Sequence, residues 1–371
     1  MAEKESYLGV QALRGVAASM VVVHHASQLW STVASNNRAP FWENGAAGVD
    51  IFFIISGFVM AVSTFSRGSA HPSAGKFLER RITRVVPLYW LITLFYVLRV
   101  EFHMHRLHEI AHGLELDVTP WHLLASLLFI PYRNAIGDVQ PLLVVGWTLS
   151  FEMFFYALFA AVLAMRLGLV KTLTVILVGL AAIGVFRQAD WPAYTILVNP
   201  LLLEFLAGVW IGHLVLRGYQ TPAGISGVLG VLAVPVLFFM PRASGENLRV
   251  LQWGGLALLI VHGTVMLERW LAPALPRWLL LVGDASYSLY LSHMLVFSLL
   301  VKLFMRFHVM VPGVTSRWSE ALAIAVCLPV AIGVAVPLYR WVEAPMLAYL
   351  RRRTHTRIAI GGHALSGPEP G

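Results

Sequence analysis

Ten apolar segments, each close to the length needed to cross a bilayer, constrain this chain more than any single motif does. They lie near residues 8–30, 46–66, 84–102, 146–166, 170–187, 196–216, 223–240, 250–268, 286–306 and 320–341. A spanning helix takes about 20 apolar residues, so ten spans consume roughly 200. Of the 371 residues, 58% are hydrophobic and only 12% are charged, whereas a soluble domain has about 25% charged residues. Too little polar surface is left to cover a water-soluble protein, and a soluble enzyme with one membrane anchor is excluded. The sequence predicts an all-α, polytopic transmembrane helical bundle of about ten spans.

Loop charge orients the bundle. The apolar stretch Trp121–Pro131 has only 11 residues, which suits an interfacial or re-entrant piece better than a span. If it does not cross, both termini lie on one side together with 17 of the 27 Lys and Arg residues; if it crosses, the split becomes 14 to 13. Cytoplasmic loops collect Lys and Arg, so ten spans with both termini cytoplasmic are expected. The same rule accounts for the net charge of +8 without a nucleic-acid partner. Residues 1–349 read as one transmembrane domain. Residues 350–371, basic and then Gly/Pro-rich, read as a disordered cytoplasmic tail. A single cysteine, Cys327, allows no intramolecular disulfide and no cysteine-rich metal cluster.

An ionisable side chain near the bilayer centre costs about 2.5 kcal/mol or more, so each one is a functional candidate. The first segment carries Arg14 and His25, eleven residues apart. Eleven helical steps bring both side chains to one face, about 16 Å apart along the axis. The pair describes a polar track from the cytoplasmic side into the membrane. Asp50 opens the second span at the depth expected for His25, either to buttress an imidazole or to cap its own helix. Ser56 and Gly57 are small enough to allow close helix approach. The loop 67–84 ends in Arg80, Arg81 and Arg84, which are positive-inside anchors or phosphate ligands. Glu152, near the outer end of the fourth span, is a site carboxylate or the partner of a buried arginine. His293 is a second intramembrane imidazole, suited to hydrogen bonding between helices.

One motif points elsewhere. His108-Glu109-Ile110-Ala111-His112 satisfies the H-E-x-x-H pattern of zinc hydrolases. It lies in a polar, histidine-rich loop, and Glu115 and Val118 stand where the longer metzincin motif needs Gly and His. An extracytoplasmic loop with incidental histidines is the better reading, and no metal is expected. A transporter or flippase would also place Arg, His and Asp within the membrane, although no inverted repeat is visible.

Six segments carry a resemblance in chain order. They are Gln11–Ala18 leading to His24-His25, Gly48–Phe58, Arg80–Trp90, Trp147–Phe155, Ser286–His293 and Trp341–Pro345. Together they resemble the acyltransferase-3 family of membrane proteins, whose members include bacterial O-acetyltransferases of exopolysaccharide, lipopolysaccharide and Nod factors. The compact form is most similar to the exopolysaccharide enzymes, and Met153 stands where a second Glu is frequent in the family. The resemblance implies residence in the bacterial inner (plasma) membrane, an acyl-CoA donor (usually acetyl-CoA) and a carbohydrate acceptor. It also implies that Arg14 and His25 are essential. On that basis His25 serves as general base or, with ping-pong kinetics, carries the acyl group itself, Arg80, Arg81 and Arg84 hold CoA phosphates, and Asp50 or Glu152 orients or recharges the histidine.

Overall fold

The computed structural model describes residues 7–33, 42–65, 73–107, 118–219, 221–241, 245–307 and 317–352. The regular elements among them are all helices. The elements are α1 (Leu8–Val33), α2 (Gly48–Phe65), α3 (Ala74–Leu107), α4 (Pro120–Leu127), α5 (Trp147–Ala164), α6 (Leu169–Val185) and α7 (Leu202–Leu216). They continue with α8 (Ala223–Phe239), α9 (Glu246–Arg249), α10 (Gly255–Met266), α11 (Glu268–Leu271), α12 (Arg277–Asp284), α13 (Ser286–Arg306) and α14 (Arg317–Leu338). Among the described residues, β pairing is confined to one isolated bridge, Arg133 to Val139.

Each of the ten apolar segments coincides with a helix. Seven helical segments among the described residues are long and apolar enough to cross a membrane, and α6 and α8 are shorter apolar helices of 17 residues. The 26-residue α1, which carries Arg14, His24 and His25, is not among the seven. Leu94, Phe95 and Leu98 on α3, Val175 on α6 and Val231 on α8 are exposed. So much exposed apolar surface suits a lipid environment and not water. The stretch after Thr119 forms α4, whose eight residues reach about 12 Å. Its start is capped by the Thr119 hydroxyl, which accepts from the His122 amide at 3.2 Å. The H-E-x-x-H motif at 108–112 and the tail beyond residue 352 lie outside the described residues.

The basic segment differs from expectation. Arg80, Arg81 and Arg84 are not in a loop, because α3 begins at Ala74. Phe77, Val85, Leu88 and Ile92 recur at helical spacing and are buried, so the core-facing stripe of α3 runs back through the basic residues and draws them into the helix. Arg81 falls on that stripe and donates to the Ser63 hydroxyl at 2.5 Å.

Two packing devices position the site. A Cβ on Gly57 would lie 2.0 Å from the Phe205 carbonyl oxygen, and one on Gly208 would lie 1.9 Å from that of Ile54. Glycine at both positions lets α2 and α7 touch through their backbones. From this seam an aromatic series runs across the bundle. Phe53 meets Phe205 with centroids 4.5 Å apart, Phe205 meets Phe155 at 4.7 Å, Phe155 meets Phe159 at 6.0 Å and Phe159 meets Phe77 at 4.6 Å. It fixes α2, α7, α5 and α3 relative to one another. Single π-helical turns at Val250–Gly254 and Tyr339–Glu343 complete the framework. Such turns gather at functional sites; here one follows Arg249, the ion-pair partner of Asp50, and the other contains buried Glu343.

Candidate active site

The common face predicted for α1 is preserved, because the helix is continuous from Leu8 to Val33. The Gln11 amide donates to the Leu280 carbonyl at 3.1 Å and to Asp284 Oδ1 at 2.8 Å. Arg14, one turn on, faces a cavity. Further along the same face, His25 Nδ1 lies 3.0 Å from His293 Nε2. The face is thus turned toward α12 and α13 along most of its length.

The cavity measures about 130 Å³ and lies between α1, α2, α3, α5 and α13, with room for several waters. Arg14, Arg81, Arg84, Glu152, Tyr156 and Tyr290 supply much of its polar lining. Two carboxylates fix this lining. Glu152 Oε1 accepts from the Ser56 hydroxyl at 2.9 Å and from the Tyr156 hydroxyl. Glu343, fully buried in its π turn, accepts from Arg84 Nη1 at 2.6 Å and from the Ser288 hydroxyl at 2.6 Å. The Arg84 guanidinium also lies 5.8 Å from the Tyr287 ring centroid. No described residue hydrogen-bonds or ion-pairs with Arg14, although Arg84, Glu343, Glu152 and Tyr156 surround it. Three guanidinium groups therefore meet two carboxylates. Beside them, burial pushes the Asp284 carboxyl up from its ordinary range, against the opposing pull of Arg14 and Arg84.

His25 does not line the cavity. Tyr290 does, and its ring lies 6.1 Å from that of His293, the partner of His25. The sequence-predicted residues thus separate into groups. Arg14, Arg81, Arg84 and Glu152 converge on the cavity. Arg80 is exposed and does not line it, because one residue's turn from Arg81 carries it off the core-facing stripe of α3.

Asp50 is not beside His25. It is fully buried, and its Oδ2 accepts from Arg249 Nη2 at 3.0 Å. The reason lies in the chain preceding α2. The 3₁₀ turn Glu43–Ala47 packs back against α1, so that a Cβ on Gly45 would meet the Met20 carbonyl at 2.6 Å and one on Gly48 the Ala17 carbonyl at 2.3 Å. The second span therefore starts its helix alongside Ala17, two turns below His25, and Asp50 lies too deep to reach the imidazole.

Sequence reasoning left out the companions of Asp50. Glu204 on α7 is buried beside it. Arg249 spans the Trp147 and Trp253 rings, 5.9 and 5.1 Å from their centroids. A lone carboxylate within an apolar span was a legible signal for Glu204. Glu343 and Tyr156 were also unassigned. Tyr156 follows Glu152 by four residues, a helical spacing that places the two side chains together. Among the described residues, no group of three or more His, Cys, Asp or Glu side chains is arranged to hold a metal ion.

The acyltransferase domain model of the acyltransferase-3 family matches residues 7–340. The exopolysaccharide production protein ExoZ of Rhizobium meliloti is 36% identical over 325 aligned residues, which cover 85% of this chain and 93% of that protein. The peptidoglycan O-acetyltransferase OatA of Listeria monocytogenes is 25% identical and the O-acetyltransferase OatA of Staphylococcus aureus is 23% identical. The matched region spans about half of each OatA protein, 48% and 49% respectively. No solved structure matches the chain. A family match over nearly the whole bundle, together with the ExoZ similarity, identifies this chain as a member of the acyltransferase-3 family and hence as an acyltransferase of the membrane.

Proposed function

We propose that the protein is an O-acetyltransferase that moves the acetyl group of acetyl-CoA to a carbohydrate hydroxyl, with His25 as general base. The observation that carries this reading is the Arg14 guanidinium, which pairs with no described residue, in a cavity lined also by Arg81 and Arg84. Such a site favours an anionic ligand, and Arg is suited to phosphate. The cavity receives the donor, whose thioester end passes Tyr290 toward His293 and His25. Arg81 and Arg84 then hold CoA phosphates at its entrance, while Arg14 draws the thioester inward and Glu152 fixes the polar lining.

In the proposed topology ten spans leave both termini in the cytoplasm, and the bilayer is the bacterial inner membrane. Arg14 lies in the cytoplasmic half and His25 about 16 Å further out. The acceptor hydroxyl approaches His25 from the outer side. As its oxygen attacks the acetyl carbonyl, its proton passes to His25 Nε2. The carbon–sulfur bond breaks, the CoA thiolate leaves and the histidine returns the proton to it. The acceptor, polymeric or lipid-linked, belongs to the same chemical class as the polysaccharides in the names of ExoZ and OatA. The basic residues serve donor, lipid phosphates and topology, and no nucleic acid is involved.

The test is direct. Purified protein in proteoliposomes, given acetyl-CoA and surface polysaccharide from the source bacterium, should release CoA thiol and form ester-linked acetate in equal amounts. Folded protein that releases no thiol above empty liposomes would overturn the proposal.

A further inference from the structure

The geometry points to His293 as the residue that sets the tautomer of His25: a relay from the Leu289 carbonyl through both imidazoles leaves His25 Nε2 as the free base. This inference deepens the general-base reading and rests on it. His293 Nδ1 lies 3.1 Å from the Leu289 carbonyl oxygen, one turn back on α13. A carbonyl only accepts, so Nδ1 of His293 carries the hydrogen. In a neutral imidazole the other nitrogen is then an acceptor, and Nε2 of His293 presents its lone pair.

That lone pair faces His25 Nδ1 at 3.0 Å. The two rings are inclined by only 21°, and their centroids are 5.1 Å apart, about 2.1 Å more than the N···N separation. That excess is what two ring radii supply when N–H and lone pair lie in the ring planes, so this is an edge-to-edge hydrogen bond and not a face-to-face stack. Nδ1 of His25 must therefore donate, and its Nε2 is the unprotonated nitrogen. No described residue hydrogen-bonds to Nε2.

His293 is fully buried between Tyr290 and Phe297, with ring centroids at 6.1 and 5.5 Å, so its own orientation is fixed by packing. His24, the other imidazole near His25, has its centroid 5.2 Å away with planes at 57°. Asp50 is committed to Arg249 and Glu152 to Ser56 and Tyr156, so neither supplies the orienting partner that a catalytic histidine ordinarily finds in a carboxylate. His293 is accordingly a positioning residue. When the acceptor oxygen bonds to the acetyl carbon and the carbon–sulfur bond breaks, the acceptor proton moves to His25 Nε2 and then to the departing thiolate. His293 holds Nδ1–H throughout and exchanges no proton.

The experiment uses the full chain in lipid nanodiscs labelled with ¹⁵N-histidine, with signals assigned by their loss in His25→Gln and His293→Gln. Wild-type protein should show His25 in the Nδ1–H form, and an Nε2–H form overturns the relay without any reliance on a variant's folding. Kinetics supply the second arm. His293→Leu should lower kcat by at least about 100-fold with little change in KM for acetyl-CoA. His293→Gln, whose carbonyl oxygen still accepts from His25, should recover most of the loss. Equal defects in the two variants would overturn the inference. His25→Ala separates the two ideas: retained transfer in that variant removes the general-base reading, whereas abolished transfer with the wrong wild-type tautomer removes only the relay.

Discussion

Replacing Arg84 tests whether one arginine both holds the bundle together and receives the donor. Glu343 is fully buried and has two partners, Arg84 at 2.6 Å and Ser288 at 2.6 Å. Arg84→Ala leaves that carboxylate with the serine alone. Removing one partner of a buried pair costs about 3–5 kcal/mol. The Arg84 side chain is 27% exposed, so water partly compensates and the lower end, about 3 kcal/mol, is expected. Removing both charges is different, because a buried pair replaced by apolar groups of similar volume is often neutral. Arg84→Met/Glu343→Met should therefore recover most of the stability while still lacking the phosphate contact. A hydrogen bond between charged groups contributes about 1.5–3 kcal/mol, so both Arg84 variants should bind CoA roughly 10- to 100-fold more weakly. Thermal unfolding in detergent reads the first quantity and calorimetric titration with CoA the second. Wild-type CoA affinity in the stable double variant would refute the donor role. Wild-type stability in Arg84→Ala would refute the claim that the pair holds α3 to the π turn at Tyr339–Glu343.

The remaining predictions concern the framework. Gly208→Ala puts a methyl group where only 1.9 Å separates it from the Ile54 carbonyl. It should destabilise by about 3 kcal/mol or more, read as a lower unfolding temperature, whereas Gly179→Ala, with open space around it, should be tolerated. Arg249→Met strips the cation from buried Asp50 and Glu204, and should cost about 3–5 kcal/mol in the same unfolding assay. Arg249→Met/Asp50→Asn should recover part of that loss.

The sequence was most informative where one continuous helix carried the information. Arg14 and His25 could be assigned to a common face because α1 runs unbroken from Leu8 to Val33 and helical geometry then fixes their relation. Asp50 pairs with Arg249 and not with His25 because its depth depends on residues 42–47, where a 3₁₀ turn folds back along α1. Apolar patterning carries no signal for such a return. The segment holding Arg80, Arg81 and Arg84 differs in another way: its charge density suggests a loop, although Phe77, Val85 and Leu88 carry the helical stripe through it. The pairings Glu343 with Arg84, Asp50 with Arg249 and His25 with His293 join residues 259, 199 and 268 positions apart. Only the packing of the helices brings them together, so one sequence names the members without naming the pairs.

The decisive measurement is the acetyl content of surface polysaccharide in a deletion strain complemented with wild-type or His25→Ala protein at equal membrane abundance, read by NMR. If His25 is the base of a membrane-embedded transferase, wild-type protein restores the acetyl signals and His25→Ala leaves them at the level of the deletion. Full acetylation by His25→Ala, or a deletion that leaves acetylation unchanged, would contradict it.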